Sequence, residues 1–246
     1  MDYEVMAEFR EWHGAHVRAG QRFAPKAEAA LDGTLRSLAQ QLYPAAGEES
    51  KDAIAEFVGP NGVADFVILT RAEENLANRI ASGLPYLSTI SEAALVAAVP
   101  VNRTRTLRWL AKELGITERH LAGLVRRLAR AGILIPTGGG YRRNPAMVPV
   151  GRMYALEAKV SDWRRAMSQA MRYATWSDAV GVVLLSLPKD PAVAIARARS
   201  LQIGLAVGNA WLVRPKLRRG KAALRLWSSE RFVRAVSEGR RSDLAS

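Results

Sequence analysis

The stretch "GRMYALEAKV", residues 151–160, decides how the rest of this chain is read. It is an apolar, strand-like run broken near its end by Glu157 and Lys159. Successive side chains of a strand point to opposite faces, so residues two apart emerge together. Glu157 and Lys159 therefore share a face. Two opposite charges there are either a salt-bridged pair at a strand end or part of a site. Burying an unpaired charge is costly, whereas a carboxylate holding Mg²⁺ beside a lysine binds and activates groups around a phosphate.

One carboxylate makes a poor Mg²⁺ site, and a second stands at Asp65, in the middle of the apolar run "GVADFVILT" at 62–70. That run follows "KDAIAEFVG" through "PNG", where Asn61 and Gly62 tolerate the positive φ of a tight hairpin. If residues 62–70 and 152–160 pair antiparallel, setting Asp65 against Glu157 also sets Thr70 against Arg152, so both strands reach their shared end together. Residues 71–151 then leave and return at one edge of the sheet, as an insertion. After the Glu157 strand comes a helix in "SDWRRAMSQAMRYA", with Ser161 as N-cap and Asp162 in the first turn. It carries Gln169 and Tyr173 one turn apart.

The remaining pattern fits an α/β unit. Residues 1–19 read as a short amphipathic helix, and 24–44 as a stronger one with Ala30, Leu31, Leu35, Leu38 and Leu42 at helical spacing, stopped by Pro44. "AVGVVLLSLP" is a buried strand, "PAVAIARARSL" a helix, and "QIGLAVG" with "AWLVRP" a closing strand pair. A basic tail, "KLRRGKAALRLW", runs into a last helix.

This order resembles the core of the PD-(D/E)XK nuclease superfamily: helix, strand, strand with Asp65, strand with Glu157-Ala158-Lys159, helix, strand. The resemblance covers residues 24–70 and 151 to about 215. Gln169-x-x-x-Tyr173 is similar to the motif of its RecB-type branch. The resemblance implies a restriction-endonuclease-like mixed sheet flanked by helices, and metal-dependent phosphodiester hydrolysis. Asp65 and Glu157 would be ligands for Mg²⁺ or Mn²⁺, and Ala158 would lend a backbone carbonyl. Lys159 would position the attacking water or steady developing charge, supported by Gln169 and Tyr173. Glu28 is a further acidic candidate.

Between the two halves the texture changes. From Leu84 to about Arg143 the chain reads helix ("TISEAALVAAV"), helix ("RTRTLRWLAKEL"), turn ("GIT"), helix ("TERHLAGLVRRLARAG"), then "ILIPTGGGYRRN" as a two-stranded wing. Gly115 supplies the bend, Thr117 caps the second helix, and Leu121, Leu124, Val125 and Leu128 form one face. Arg119, His120, Arg126, Arg127 and Arg130 are left off that face, with Tyr141, Arg142 and Arg143 on the wing and Gly138–Gly140 at its tip. The segment resembles the winged helix-turn-helix domains of bacterial regulators, which implies DNA contact by these residues. A protein-interaction module with a solvated basic helix face is the other reading. The three glycines are no phosphate loop, since no Gly-Lys-Ser/Thr follows.

Composition narrows the classes. The 246 residues carry a formal net charge of +13, unevenly placed: 6 basic and 11 acidic side chains lie in 1–70, 12 and 5 in 71–150, and 18 and 7 in 151–246. Such a basic excess favours a polyanion, DNA first. With 0 cysteines there are no disulfides, thiol nucleophiles or Cys-ligated zinc sites. The longest apolar run, Val180–Leu187, falls short of a membrane span, and "MDYEVMAEFREW" lacks the pattern of a signal peptide, so a cytoplasmic protein without a membrane partner is expected. His13 and His16 lack a third metal ligand and read as solvated. Trp163, Trp211 and Trp227 lie among arginines, suited to core packing, cation-π contact or base stacking. Three segments are expected: 1–70 and 151–246 forming the nuclease-like domain, and 71–150 as the inserted domain. The leading expectation is a DNA-binding, Mg²⁺-dependent nuclease, with room for a homo-oligomer. The alternatives are a non-catalytic regulator with a nuclease-like scaffold, and an adaptor that holds proteins.

Overall fold

A computed structural model describes residues 33–35, 37–42 and 53–244 of the chain. In chain order its elements are helix α1 (helical over 33–35 and 37–40), β1 (Ala53–Gly59), β2 (Gly62–Thr70), α2 (Glu73–Ala81), α3 (Ile90–Ala98), α4 (Leu107–Leu114), α5 (Glu118–Arg130), β3 (Leu134–Thr137), β4 (Gly140–Arg143), β5 (Arg152–Lys159), α6 (Trp163–Tyr173), β6 (Ala179–Leu184), α7 (Pro191–Leu201), β7 (Gly204–Val207), β8 (Ala210–Val213) and α8 (Ala222–Leu244). A 3₁₀ turn, Pro145–Met147, precedes β5. The chain forms two compact units, one from the residues up to Arg71 with Arg152–Gly220, the other from Ala72–Gly151 with the residues from Lys221 onward.

The first unit is α/β, a six-stranded mixed sheet in the order β1-β2-β5-β6-β7-β8 flanked by helices. The β1–β2 and β2–β5 pairs are antiparallel, and the second has the expected register, with Thr70 opposite Arg152 and Phe66 opposite Leu156. β5, β6 and β7 are mutually parallel. Each parallel step needs a crossover, and α6 and α7 supply the two. Helix α6 starts at Asp162 and not at Ser161: the Asp162 carboxylate accepts the Arg165 backbone N–H at 3.0 Å, placing a negative charge against the positive end of the helix. On one face of the sheet Leu35, Leu38, Ala39 and Leu42 pack on Phe66, Ile68, Tyr154, Leu156, Ala158 and Val183. By alternation Asp65, Val67, Leu69, Met153, Ala155, Glu157 and Lys159 face the other way, where α6 buries Trp163, Ala166, Met167, Ala170 and Tyr173.

Trp211 belongs to this core. A Cβ on Gly181 or Gly204 would come within 2.9 and 2.7 Å of its ring, so both strands pass it by having no side chain there. The basic segment after β8 is partly structural. Arg218 gives its guanidinium to the Leu201 and Gln202 carbonyls at the end of α7, and Arg214 reaches the Gln41 carbonyl.

The second unit is mainly helical. Its core joins Leu95, Val96, Leu110, Leu121, Val125, Leu128, Ile133, Leu134 and Met147 with Leu226 of α8. Helix α8 packs on α3 within this unit, not in the sheet unit to which the sequence pattern assigns all of 151–246. Arg79 of α2, a helix the sequence reading passed over, fixes that arrangement. Its buried guanidinium meets both Glu230 carboxylate oxygens, at 2.8 and 2.7 Å, and the Leu84 and Pro85 carbonyls at 3.0 Å. Helix α4 ends in left-handed Gly115, and Thr117 Oγ1 accepts the His120 N–H to start α5, both as the spacing predicts. The β3–β4 hairpin follows, and a bridge between Arg105 and Tyr141 extends it. Gly140 has φ +151 and a Cβ there would collide with the Arg105 carbonyl, so it is a fixed strand residue and the turn at the tip is Gly138–Gly139. Among the described residues no helix is long and apolar enough to cross a membrane.

Candidate functional site

The site is built by two strands and one helix of the first unit. Strand β5 puts Glu157 and Lys159 on one face. The β2–β5 register brings Asp65 beside them, and its carboxylate accepts the Ala158 backbone N–H at 2.7 Å. The Lys159 ammonium lies 2.6 Å from Glu157 Oε1, donates to the Ala158 carbonyl at 3.0 Å and stands 3.9 Å from Asp65 Oδ2. The Tyr173 hydroxyl donates to Glu157 Oε2 at 2.7 Å and also touches the Val63 carbonyl, so one hydroxyl hydrogen serves two acceptors. Asp65, Glu157, Lys159 and Tyr173 thus converge.

Gln169 sits one turn before Tyr173 on the same edge of α6 but makes no hydrogen bond to the four. Its Oε1 is buried without a partner. Glu28 lies outside the described residues, as do His13 and His16.

Burial is graded across the cluster. The side chain of Glu157 is 1% exposed, Lys159 20% and Asp65 36%, so the site opens toward solvent on the Asp65 side. Burial, and then the Glu157 carboxylate, push the Tyr173 hydroxyl well above the ordinary phenol range, which keeps it a donor.

The ammonium contacts the three oxygens a small hard cation would take: two carboxylates and one backbone carbonyl. Among the described residues no group of three or more His, Cys, Asp and Glu side chains forms a larger cluster. Such a donor set suits Mg²⁺ or Mn²⁺, which commonly take one or two protein carboxylates and complete their shell with water and phosphate oxygens. The unsatisfied Gln169 oxygen is a further polar group at this edge of α6.

One feature of this neighbourhood has no signal in the sequence. Glu56, in line with Asp65 across the β1–β2 hairpin, has φ +48, and the regular pairing skips that position. A left-handed residue other than glycine costs about 1 kcal/mol or more, and alternation alone would have made Glu56 an ordinary strand residue.

The basic residues of the second unit separate into two groups. Arg119, His120, Arg126 and Arg130 are exposed on α5, and so is Arg127, whose guanidinium is 2.7 Å from Glu92 Oε1. On the hairpin Arg142 is exposed. Tyr141 is half-buried and bonded through its backbone to Arg105, with N–H to carbonyl distances of 2.9 and 3.0 Å. Arg143 is half-buried, with its pKa lowered by burial and its Nε enclosed without a partner. Arg105, which the sequence reading passed over, stacks on Trp109 with its guanidinium 4.2 Å from the ring centre. Its i,i+4 spacing from Trp109 was the available signal. Trp163 and Trp227 carry similar caps, Arg164 at 4.4 Å and Arg231 at 5.0 Å.

Comparison of the chain with protein-family models, with curated proteins and with solved structures gave no match. The functional reading therefore stands on the geometry of the site.

Proposed function

We propose that this chain is a DNA-binding protein whose first unit is a PD-(D/E)XK-like nuclease, with a winged helix-turn-helix in the second unit serving DNA contact. The observation that carries the reading is the Lys159 ammonium set on Glu157, Ala158 and Asp65 oxygens within 2.6 to 3.9 Å, with Tyr173 behind Glu157. Four residues from three elements converge, which supports reading the cluster as a phosphate-activating site. Asp65, Glu157 and the Ala158 carbonyl would hold Mg²⁺ or Mn²⁺, which when bound supplies charge neutralisation at a phosphodiester and a more acidic water. Tyr173 holds the Glu157 carboxylate in place from behind. Lys159, on the open side, is placed to steady negative charge on a phosphate or to orient a water. The exposed arginines of α5 and Arg142 would supply phosphate contacts, and the basic excess of the chain would favour association.

One observation favours a second reading, a non-catalytic regulator. The ammonium pairs closely with Glu157 at 2.6 Å and approaches Asp65 at 3.9 Å, so the cluster also reads as a structural ion pair. Cleavage of plasmid and single-stranded DNA in Mg²⁺ or Mn²⁺ decides between them. Under the nuclease reading Glu157→Gln and Lys159→Ala abolish cleavage with DNA affinity nearly intact, while Arg126→Ala with Arg127→Ala weakens binding and flattens its salt dependence. No cleavage by the unmodified protein on either substrate, in either metal, would sink the nuclease.

A further inference from the structure

Helix α5 carries a glycine that nothing among the described residues explains. Gly123 is exposed near the middle of Glu118–Arg130, its φ is not in the left-handed region, and a Cβ there would meet nothing within 4 Å. Glycine weakens a helix interior relative to alanine, and a helix keeps one at low cost only where packing, a special backbone angle or a close external approach requires it. Among the described residues the first two are absent.

The surroundings of Gly123 point to the third. Its neighbours on the helix surface are the residues three and four positions away: Arg119, His120, Arg126 and Arg127, all exposed. The apolar edge of the helix, Leu121, Val125 and Leu128, is buried against the core of this unit, so the glycine looks outward. The result is a bare patch of helix surface rimmed by three guanidiniums and an imidazole. Glu92 is the carboxylate that faces this rim, and it holds the Arg127 side chain at 2.7 Å.

We propose that Gly123 is the floor of a phosphate seat, where one phosphate group of a DNA backbone approaches the axis of α5 and is gripped by Arg119 and Arg126, with Arg127 anchored beside them. Planar guanidiniums match phosphate oxygens two at a time, and a phosphate brought onto the helix surface lies within reach of all three. A methyl group on the floor lifts the phosphate and spoils that fit. The inference deepens the DNA reading of the second unit and rests on it.

The test measures two properties of the full chain with Gly123→Ala: thermal stability, and affinity for two fluorescently labelled DNA duplexes of unrelated sequence. The seat predicts opposite signs. The melting temperature rises by a few degrees, because alanine is the better helix former. Affinity falls roughly fivefold or more on both duplexes alike, since a phosphate contact carries no sequence information. Gly123→Leu lowers it further, and Arg119→Gln with Arg126→Gln reproduces the loss and reduces the salt slope by about 2. Unchanged affinity in Gly123→Ala, with the unmodified protein binding well, removes the seat and leaves DNA binding in place. A loss confined to one duplex means a base contact and also overturns it. No binding of either duplex by the unmodified protein overturns the DNA reading itself, and the seat with it.

Discussion

Replacing Lys159 by methionine tests whether the ammonium stands where a divalent ion belongs. Methionine keeps most of the aliphatic volume and removes the charge. The change removes the ammonium 2.6 Å from Glu157, which is 1% exposed, and 3.9 Å from Asp65. Breaking a buried ion pair by deleting one partner costs about 3–5 kcal/mol. Lys159 is 20% and Asp65 36% exposed, so water takes up part of the charge, and Tyr173 still donates to Glu157. The expected loss is therefore about 2–3 kcal/mol in the absence of divalent ions. Hydrogen exchange at the β5 and β6 amides reports opening of this unit separately from the helical one, which avoids assuming a single unfolding transition.

A divalent cation should then restore what the lysine supplied. If Mg²⁺ binds the emptied site with a Kd of about 0.1 mM, about 10 mM Mg²⁺ returns ~2.7 kcal/mol. The unmodified protein gains less, because its own ammonium already neutralises the oxygens. Under the proposed nuclease reading, the variant should bind the ion but show no cleavage. Two results would refute the reasoning: a variant as stable as the parent within about 0.5 kcal/mol, or a response to Mg²⁺ no larger than that to NaCl of equal ionic strength.

Other perturbations test neighbouring parts. Tyr173→Phe keeps the ring against Trp176, 5.6 Å away, but removes a donor from a buried carboxylate, and should cost about 1.5–3 kcal/mol by the same exchange measurement. In the parent the raised pKa of Tyr173 means that the folded state keeps a proton that the unfolded state loses above its ordinary value of 10.0. Its contribution is complete below pH 10 and is lost as pH rises further, at up to about 1.4 kcal/mol per pH unit, a slope that Tyr173→Phe should reduce. Gly140→Ala forces a Cβ toward the Arg105 carbonyl at a positive φ and should destabilise the second unit by about 1–3 kcal/mol, read as loss of protection at the Arg105 and Tyr141 amides. Arg79→Leu or Glu230→Leu leaves a buried charge alone and should cost about 3–5 kcal/mol, with the double variant recovering part of it; additive losses in the double would show that the two residues do not act as a pair.

The β2–β5 register was legible in the sequence to the residue because two independent constraints agreed. Charges stood in otherwise apolar strands at Asp65, Glu157 and Lys159, and only one antiparallel register let both strands end together while bringing them face to face. A slip by one residue would have turned every side chain over. Helix caps were less legible where two candidates adjoined: Ser161 and Asp162 both suit an N-cap, and the carboxylate that reaches the Arg165 N–H wins. The C-terminal helix was misassigned because chain order suggested continuity with the basic tail. What holds α8 is a pairing 151 residues apart in sequence, Arg79 with Glu230, on an α2 that carried no strong periodic signal. Long-range ion pairs leave no local trace.

The candidate site shows the same division. Alternation put Asp65, Glu157 and Lys159 on one face, and the resemblance added Gln169 and Tyr173; Asp65, Glu157, Lys159 and Tyr173 meet, whereas Gln169 makes no hydrogen bond to them. The site's charge state did not follow. Nothing in the spacing indicated that the Lys159 ammonium would fold onto the same three oxygens a metal would use, or that Tyr173 would divide one hydrogen between Glu157 and Val63. Both arise from burial. Glu157 lies too deep for water to solvate its charge, so the folded chain draws in the nearest cation and the nearest hydroxyl. Under the proposed nuclease reading, such a site would have to exchange its internal cation for a divalent ion. On that proposal, affinity for the ion would be set by the difference between two neutralising charges, and deleting Lys159 should raise Mg²⁺ affinity while abolishing any cleavage.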